Sequence, residues 1–178
     1  MHMTAQQLTA FKASILTNTA TIPAGQPFAG VQVKDVPNNP DGNLAVAGWY
    51  NLVAAPAFTL WRKAVPLAEI AVSLNGTELA GLSTLNHTRL QTVITLVNAS
   101  GGANPSVADQ RAFWNDIFSG AGGTNTRAAL LVIWKRLASN IEKLFATGTG
   151  SDAVPAISAF PDGSQADGRD VNSALNLP

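Results

Sequence analysis

Histidine is the side chain most often used as a metal ligand or general base, and this chain has only two, His2 and His87. His2 lies near the terminus, and His87 lies in a stretch of helical pattern beside Asn86 and Arg89. A metal site needs three or four converging ligands, yet the sequence has no HExxH motif, no paired histidines and no cysteine. We therefore expect no metal, no cofactor and no catalytic residue, and we interpret His87 as an ordinary polar helix residue.

Two short patterns superficially resemble functional motifs. The glycine-rich segment 120–124 precedes a helical stretch, and free backbone N–H groups at a helix start can bind phosphate. It lacks the GxxxxGK[ST] spacing, so we interpret it as a flexible connector between helices. Asp109 and Asp116 could share one helix face about 10 Å apart, which is the wide end for a cooperating acid and base. We interpret both carboxylates as solvated.

The charge balance argues against nucleic-acid recognition. Eleven basic residues match eleven acidic ones, whereas nucleic-acid binders usually carry a basic excess. Lys135, Arg136 and Lys143, with Glu142 among them, are expected to form a modest polar face on the last helix. Charged residues make up only 12% of the chain, about half the usual share, which suits a surface covered by neighbouring subunits.

The spacing of apolar residues predicts a mainly α fold: a compact helical bundle with extended Pro/Gly-rich arms and one or two short β-strands. The first helix is expected to begin at Thr4, which with Gln7 forms a capping-box pattern, and to end near Asn18. A second helix is predicted to begin at residue 43, capped by residue 41 or 43. Further helices are predicted over residues 66–74, 77–97, 104–118 and 126–146. The tryptophans are expected in the core, at Trp49, Trp61, Trp114 and Trp134.

Two segments rich in proline and glycine are predicted as arms. Residues 1–149 would form the helical domain, which is interrupted by an arm at about 20–42. Within this arm, residues 31–36 could add an edge strand. Residues 150–178 would form a C-terminal arm with a short strand at 154–160. A long loop without structure of its own is functional, disordered or held by a partner, and we favour the partner. The candidate subunit-contact residues are Pro23, Pro27, Val31, Val33, Pro37, Val154, Ile157 and Phe160.

A family resemblance lies in two blocks. Residues 49–66 include PAFTLWRKAVP, and residues 117–150 end in EKLFATGTG, which is the most specific part. Over residues 43–160 the chain resembles a family of small proteins encoded in tailed-bacteriophage genomes. The resemblance implies a virion or morphogenesis component and brings no catalytic residues. The chain departs from the family pattern in the insertion at 20–42 and beyond residue 160.

Together these observations lead us to expect a structural component of a tailed-phage virion, made in the host bacterial cytoplasm. A head–tail connector, an adaptor or another tail-region ring protein is the leading interpretation. Its partners would be copies of itself in a homo-oligomeric ring and other phage structural proteins, with no membrane contact, since no apolar run approaches the roughly 20 residues that span a bilayer. A tail-fibre attachment protein, a head decoration protein, a non-virion assembly factor and an enzyme with a dispersed site stay open as alternatives.

Overall fold

The computed structural model describes residues 2–178, and within them the chain forms nine α-helices and three short β-strands. The helices are α1 (Ala5–Thr17), α2 (Pro40–Asn51), α3 (Leu67–Ser73), α4 (Gly76–Ala80), α5 (Thr84–Ala99), α6 (Ala108–Ile117), α7 (Thr124–Ile133), α8 (Asn140–Leu144) and α9 (Gly168–Leu175). The strands are β1 (Thr59–Trp61), β2 (Lys135–Leu137) and β3 (Ala156–Ile157), in the order β2-β1-β3. The predicted mainly α fold with short strands is confirmed.

Helix α1 begins as the sequence predicts. The Thr4 hydroxyl accepts a hydrogen bond from the Gln7 backbone N–H at 3.2 Å, and the Gln7 side chain accepts one from the Thr4 N–H at 2.9 Å. These two bonds satisfy donors that a helix start otherwise leaves free. The buried face of α1 carries Phe11 and Ile15, four residues apart, so the helix packs on the rest of the chain through one stripe.

One group of buried side chains, here named the terminal core, is formed by α1, α2, α9 and the segments between them. Its members are Met3, Phe11, Ile15, Ile22, Val33, Ala45, Val46, Ala47, Tyr50, Ile141, Phe160, Ala166, Val171 and Ala174. The rings of Phe11 and Tyr50 meet edge to face at 4.8 Å between centroids. The Tyr50 hydroxyl lies 2.7 Å from the Ser14 hydroxyl, so this buried polar group keeps a partner.

The first predicted arm is folded onto the terminal core. The backbone N–H of Ile22 donates to the Val31 carbonyl at 2.9 Å, and that of Val33 donates to the Ala20 carbonyl at 2.9 Å. In place of the expected edge strand, the segment has a single bridge and the 3-10 turn Val33–Asp35. Helix α2 also starts earlier than predicted, because Asn39 caps it and Pro40 occupies its first turn.

The prediction of an extended C-terminal arm is wrong for the last residues, which form α9 against α1 and α2. The Asn51 side chain donates to the Ala166 carbonyl at 2.8 Å and accepts from the Ala166 N–H at 2.9 Å. The Asp167 side chain then caps α9, and Val171 and Ala174 are fully covered. This segment is short and polar in sequence, but two apolar side chains on one face of a capped helix suffice to dock it.

The second group, here named the middle core, lies among α3 to α7. Its members are Val65, Ile70, Leu90, Val97, Ala103, Trp114, Ile117, Phe118, Leu130 and Trp134. The helix predicted over 77–97 is two helices, because α4 ends at Ala80 and Ser83 caps a new helix through the Asn86 N–H at 3.3 Å. The helix predicted from Asn104 and Pro105 begins later, at Ala108.

The predicted helix 126–146 is also wrong, since it breaks into α7, β2 and α8. Strand β2 runs antiparallel to β1, with Leu60 opposite Arg136, and β3 runs parallel to β1 on its other side. Ser139 then starts α8 with a capping box completed by Glu142. The break occurs because backbone pairing with a distant strand outweighs a helical pattern of apolar residues.

Candidate functional site

The predicted contact residues do not gather on one surface. Val33 and Phe160 are buried in the terminal core, so this chain itself covers their side chains. Val154 and Ile157 are 59% and 42% exposed near the edge strand β3. The remaining candidates are exposed at Pro27 and Pro37 and half-buried at Pro23 and Val31.

The residues considered for chemistry stay apart. His87 is exposed on α5, and Asp109 and Asp116 are both exposed on α6. Among residues 2–178, no group of three or more His, Cys, Asp or Glu side chains could hold a metal ion. No helix in the same part of the chain combines the length and apolar character needed to cross a bilayer.

The glycine-rich segment 120–124 leads into α7, whose first N–H groups bind a carboxylate of the chain itself. Glu78 accepts from the N–H groups of Asn125 and Thr126, both at 2.8 Å. Burial raises the pKa of Glu78, but the hydrogen bonds from Thr126 and Asn125 outweigh burial, so the pKa lies below its ordinary value. The donors that suggested a phosphate site are therefore used internally, as an anion at a helix start.

The basic residues expected on one helix lie on two elements, Lys135 and Arg136 on β2 and Lys143 on α8. Arg136 binds Glu142 through two hydrogen bonds of 2.6 and 2.8 Å and contacts Asp162 at 3.1 Å. Lys135 pairs with the exposed Asp152 at 2.6 Å. These ion pairs tie the strand to α8 and to the segments before and after β3.

Apolar side chains are left uncovered around the middle core. Val72, Leu96 and Val132 are 86%, 62% and 71% exposed. On α6 the structure buries Trp114, as expected for the tryptophans, and leaves the neighbouring Phe113 37% exposed. The exposed parts of these side chains are available to another surface.

A groove of about 440 Å³ lies between α5 and α6, here named the α5–α6 groove. Its walls are apolar, with polar residues among them: Val93, Leu96, Val97, Ser100, Gly102, Asp109, Gln110, Phe113 and Trp114. An apolar depression with a few polar groups is typical of a surface that binds another molecule. Sequence reasoning missed this groove, because helical periodicity assigns apolar residues to one buried face and does not show which of them stay uncovered.

A scan against protein-family models, a search of curated proteins and a search of solved structures find no match to this chain. The structure defines a mainly helical protein with two larger cores and a third, smaller group of buried side chains, Leu60, Ala138 and Ala156, at the small sheet.

Proposed function

We propose that this chain is a structural component of a tailed-phage particle that acts through protein–protein contacts. Within that class we favour a head–tail connector, an adaptor or another ring protein of the tail region. The observation that carries the proposal is the α5–α6 groove, where Leu96 and Phe113 line a depression and are exposed to solvent. The partners would be further copies of this chain and other structural proteins of the particle.

The energetics of the groove support a contact role. Removing apolar surface from water stabilises an association by about 25 cal/mol per Å², and burying one large apolar side chain contributes roughly 1.5–3 kcal/mol. Leu96 is 62% exposed, so most of this gain is still available to a partner. The cost of association has to be offset by several such side chains, which the groove supplies on two facing helices.

The charge of the chain also favours assembly. Eleven basic and eleven acidic residues give a formal net charge of zero, so long-range repulsion between copies is small. Several of these charges are paired within the chain, as in Arg62 with Glu69 and Arg136 with Glu142. A subunit of this kind depends little on charge for contact with a neighbour, and its apolar surface becomes the main source of affinity.

The phage assignment itself rests on the resemblance of residues 49–66 and 117–150 to small tailed-phage proteins. In the structure the EKLFATGTG stretch spans the end of α8 and the turn that leads towards β3. Gly150 is buried there, and its carbonyl accepts from the Thr59 N–H at 2.7 Å. The most specific part of the resemblance thus lies at the small sheet.

The proposal is tested first by mass spectrometry of purified particles from a phage that encodes this chain. Stoichiometric detection is expected, and electron microscopy of the same particles would then place the subunit in a ring. Absence from particles, together with presence in the infected-cell lysate, would refute a virion role and favour an assembly factor.

The groove is tested separately with the double variant Leu96→Gln/Phe113→Ser. We expect it to fold as the parent does but to be lost from particles and from self-associated species in sedimentation experiments. The matched control is Leu16→Gln, which changes a 53% exposed leucine on α1, away from the groove. Equal incorporation of the double variant and the control would contradict a contact role for the groove.

A further inference from the structure

A second cavity, of about 600 Å³, lies among β1, α6, α7 and the loop between the two helices, and is here named the arginine cavity. Trp61, Leu131 and Trp134 supply its apolar walls, and Arg111 and Arg127 both line it. None of the lining residues is an Asp or Glu. Two cations therefore share one depression with no lining carboxylate to balance them.

Arg111 is held in place without an acidic partner. Its guanidinium lies 4.2 Å from the centroid of the Trp61 ring, and its Nη1 donates to the Pro105 carbonyl. Its Nε and Nη2 groups make no hydrogen bond within residues 2–178. Burial lowers the pKa of Arg111, which shows that its charge is partly desolvated without a compensating carboxylate.

Arg127 is positioned in the same manner, by backbone carbonyls. Its Nη1 donates to the carbonyl of Phe118 and to that of Gly120, the latter at 2.9 Å. Its remaining nitrogens have no partner in the part of the chain that the structure describes. Since a guanidinium has five N–H donors, both arginines keep donors for an anion.

Two neighbouring arginines, Arg62 and Arg136, have carboxylate partners instead, and Arg89 is exposed on α5 outside the cavity. Arg62 forms two hydrogen bonds with Glu69, at 2.5 and 3.0 Å, and Arg136 binds Glu142. Fixed guanidinium groups that lack a carboxylate are thus concentrated at the arginine cavity. The Nε1 of Trp134, which is 3% exposed, is a further donor without an acceptor within residues 2–178.

We infer that the arginine cavity binds an organic anion, namely a carboxylate or phosphate attached to an apolar or aromatic group. The two guanidinium groups match the anionic end, since they bind carboxylate and phosphate through paired N–H donors. The cavity is several times larger than a bare anion needs and lies within the 300–1,000 Å³ range of ordinary ligand sites, so its tryptophan walls have room for a ring. This inference goes beyond the proposed function and does not depend on it.

Binding is tested with naphthyl phosphate and naphthoate as anionic probes and naphthol as the neutral control. The readout is the set of indole N–H signals in a heteronuclear NMR spectrum, because Trp61 and Trp134 line the cavity and Trp49 does not. We expect saturable shifts of the Trp61 and Trp134 signals with the anionic probes. If only one anionic probe binds, the site is still an anion site and the probe identifies its head group.

The arginines are tested with Arg111→Gln and Arg127→Gln, each of which should weaken binding about tenfold or more, since charged hydrogen bonds contribute about 1.5–3 kcal/mol. The matched control is Arg89→Gln, an exposed arginine on α5 outside the cavity, which should bind as the parent does. Because an arginine variant could lose structure, Ala128→Phe provides a second test: it fills the cavity, keeps both arginines and should abolish binding.

Three results would overturn the inference. The first is the absence of saturable shifts at Trp61 and Trp134 with either anionic probe. The second is equal affinity for naphthol, which would make the cavity a simple apolar pocket. The third is an equal loss in Arg89→Gln, which would indicate diffuse attraction of anions to the whole surface.

Discussion

The terminal core and the middle core are both well covered by the chain, but they differ in how much apolar surface is left exposed on the helices around them. The terminal core draws on α1, α2, α8 and α9, and the irregular segments contribute Ile22 and Val33 to it. The helices of the terminal core leave Leu16 and Leu44 exposed. The helices of the middle core leave more apolar residues exposed, namely Val72, Leu85, Leu96, Phe113, Leu131 and Val132. A segment that is irregular in sequence therefore does not indicate where this molecule contacts a partner. Exposed apolar surface is the better indicator.

The reason lies in how little apolar surface a segment needs in order to dock. The segment 20–36 supplies Ile22 and Val33, and its own backbone groups pair across the turn. Proline and glycine prevent a helix or strand there, but they do not prevent two spaced side chains from being buried. By contrast, α5 has apolar residues on more than one side, so packing one face leaves another exposed.

The largest expected loss in the free energy of unfolding comes from a substitution on the face of α9 that packs against the terminal core. Val171→Asp would place an unpaired charge in the terminal core and should lower the free energy of unfolding by about 3–5 kcal/mol, measured by chemical denaturation. Asn172→Asp, at the exposed neighbouring position, is the control and should change little. A loss below about 1 kcal/mol for Val171→Asp would mean that residues 168–175 are not packed.

A smaller loss in the free energy of unfolding is expected from a substitution that affects the segment leading into α9. Asn51→Ala removes both hydrogen bonds to the buried Ala166 backbone and should cost about 1–3 kcal/mol, because two polar groups would be left unpaired. Asn98→Ala, on the exposed side of α5, serves as the control in the same denaturation experiment. Equal stability of the two variants would contradict the anchoring role of Asn51.

What the sequence could predict was local. The cap of α1 follows from Thr4 and Gln7, which are three residues apart. Asp167 and Asp170 form a similar local pattern at the start of α9, but the polar composition of this segment favours an arm.

The features that the sequence does not predict depend on contacts between residues far apart in the chain. The pairing of Leu60 with Arg136 breaks a helical pattern that is strong by itself, and no short-range signal indicates the partner. For the same reason the arginine cavity could not be predicted, since only the folded chain brings Arg111 of α6 and Arg127 of α7 to one cavity. The carboxylate of Glu78 at the start of α7 is a third contact of this kind.

Acid should weaken the middle core through Glu78. Its pKa is lower in the folded chain than in the unfolded one, so its contribution to stability is present above about pH 4.3, the unfolded pKa, and is lost as the pH falls through the folded pKa. Glu78→Gln should be less stable than the parent at neutral pH, and the difference in stability should shrink as the pH falls below the unfolded pKa and through the lower folded pKa. Urea denaturation across this range provides the measurement, and a gap that is independent of pH would contradict the assignment.

The smallest effect on the free chain is expected at the α5–α6 groove. Leu96→Gln changes an exposed side chain and should alter the free energy of unfolding by no more than about 0.5 kcal/mol. A clear loss of monomer stability would show that Leu96 packs internally, and the contrast between the two cores would then disappear.

Hydroxyl-radical footprinting of the free chain and of the assembled particle tests the central claim most directly, because it reports the exposure of individual side chains. We predict that Leu96 and Phe113 are oxidised in the free chain and protected in the assembly, while Phe160 and Val33 are unreactive in both. Strong oxidation of Phe160 and Val33 in the free chain, with protection only on assembly and no change at Phe113, would contradict the account.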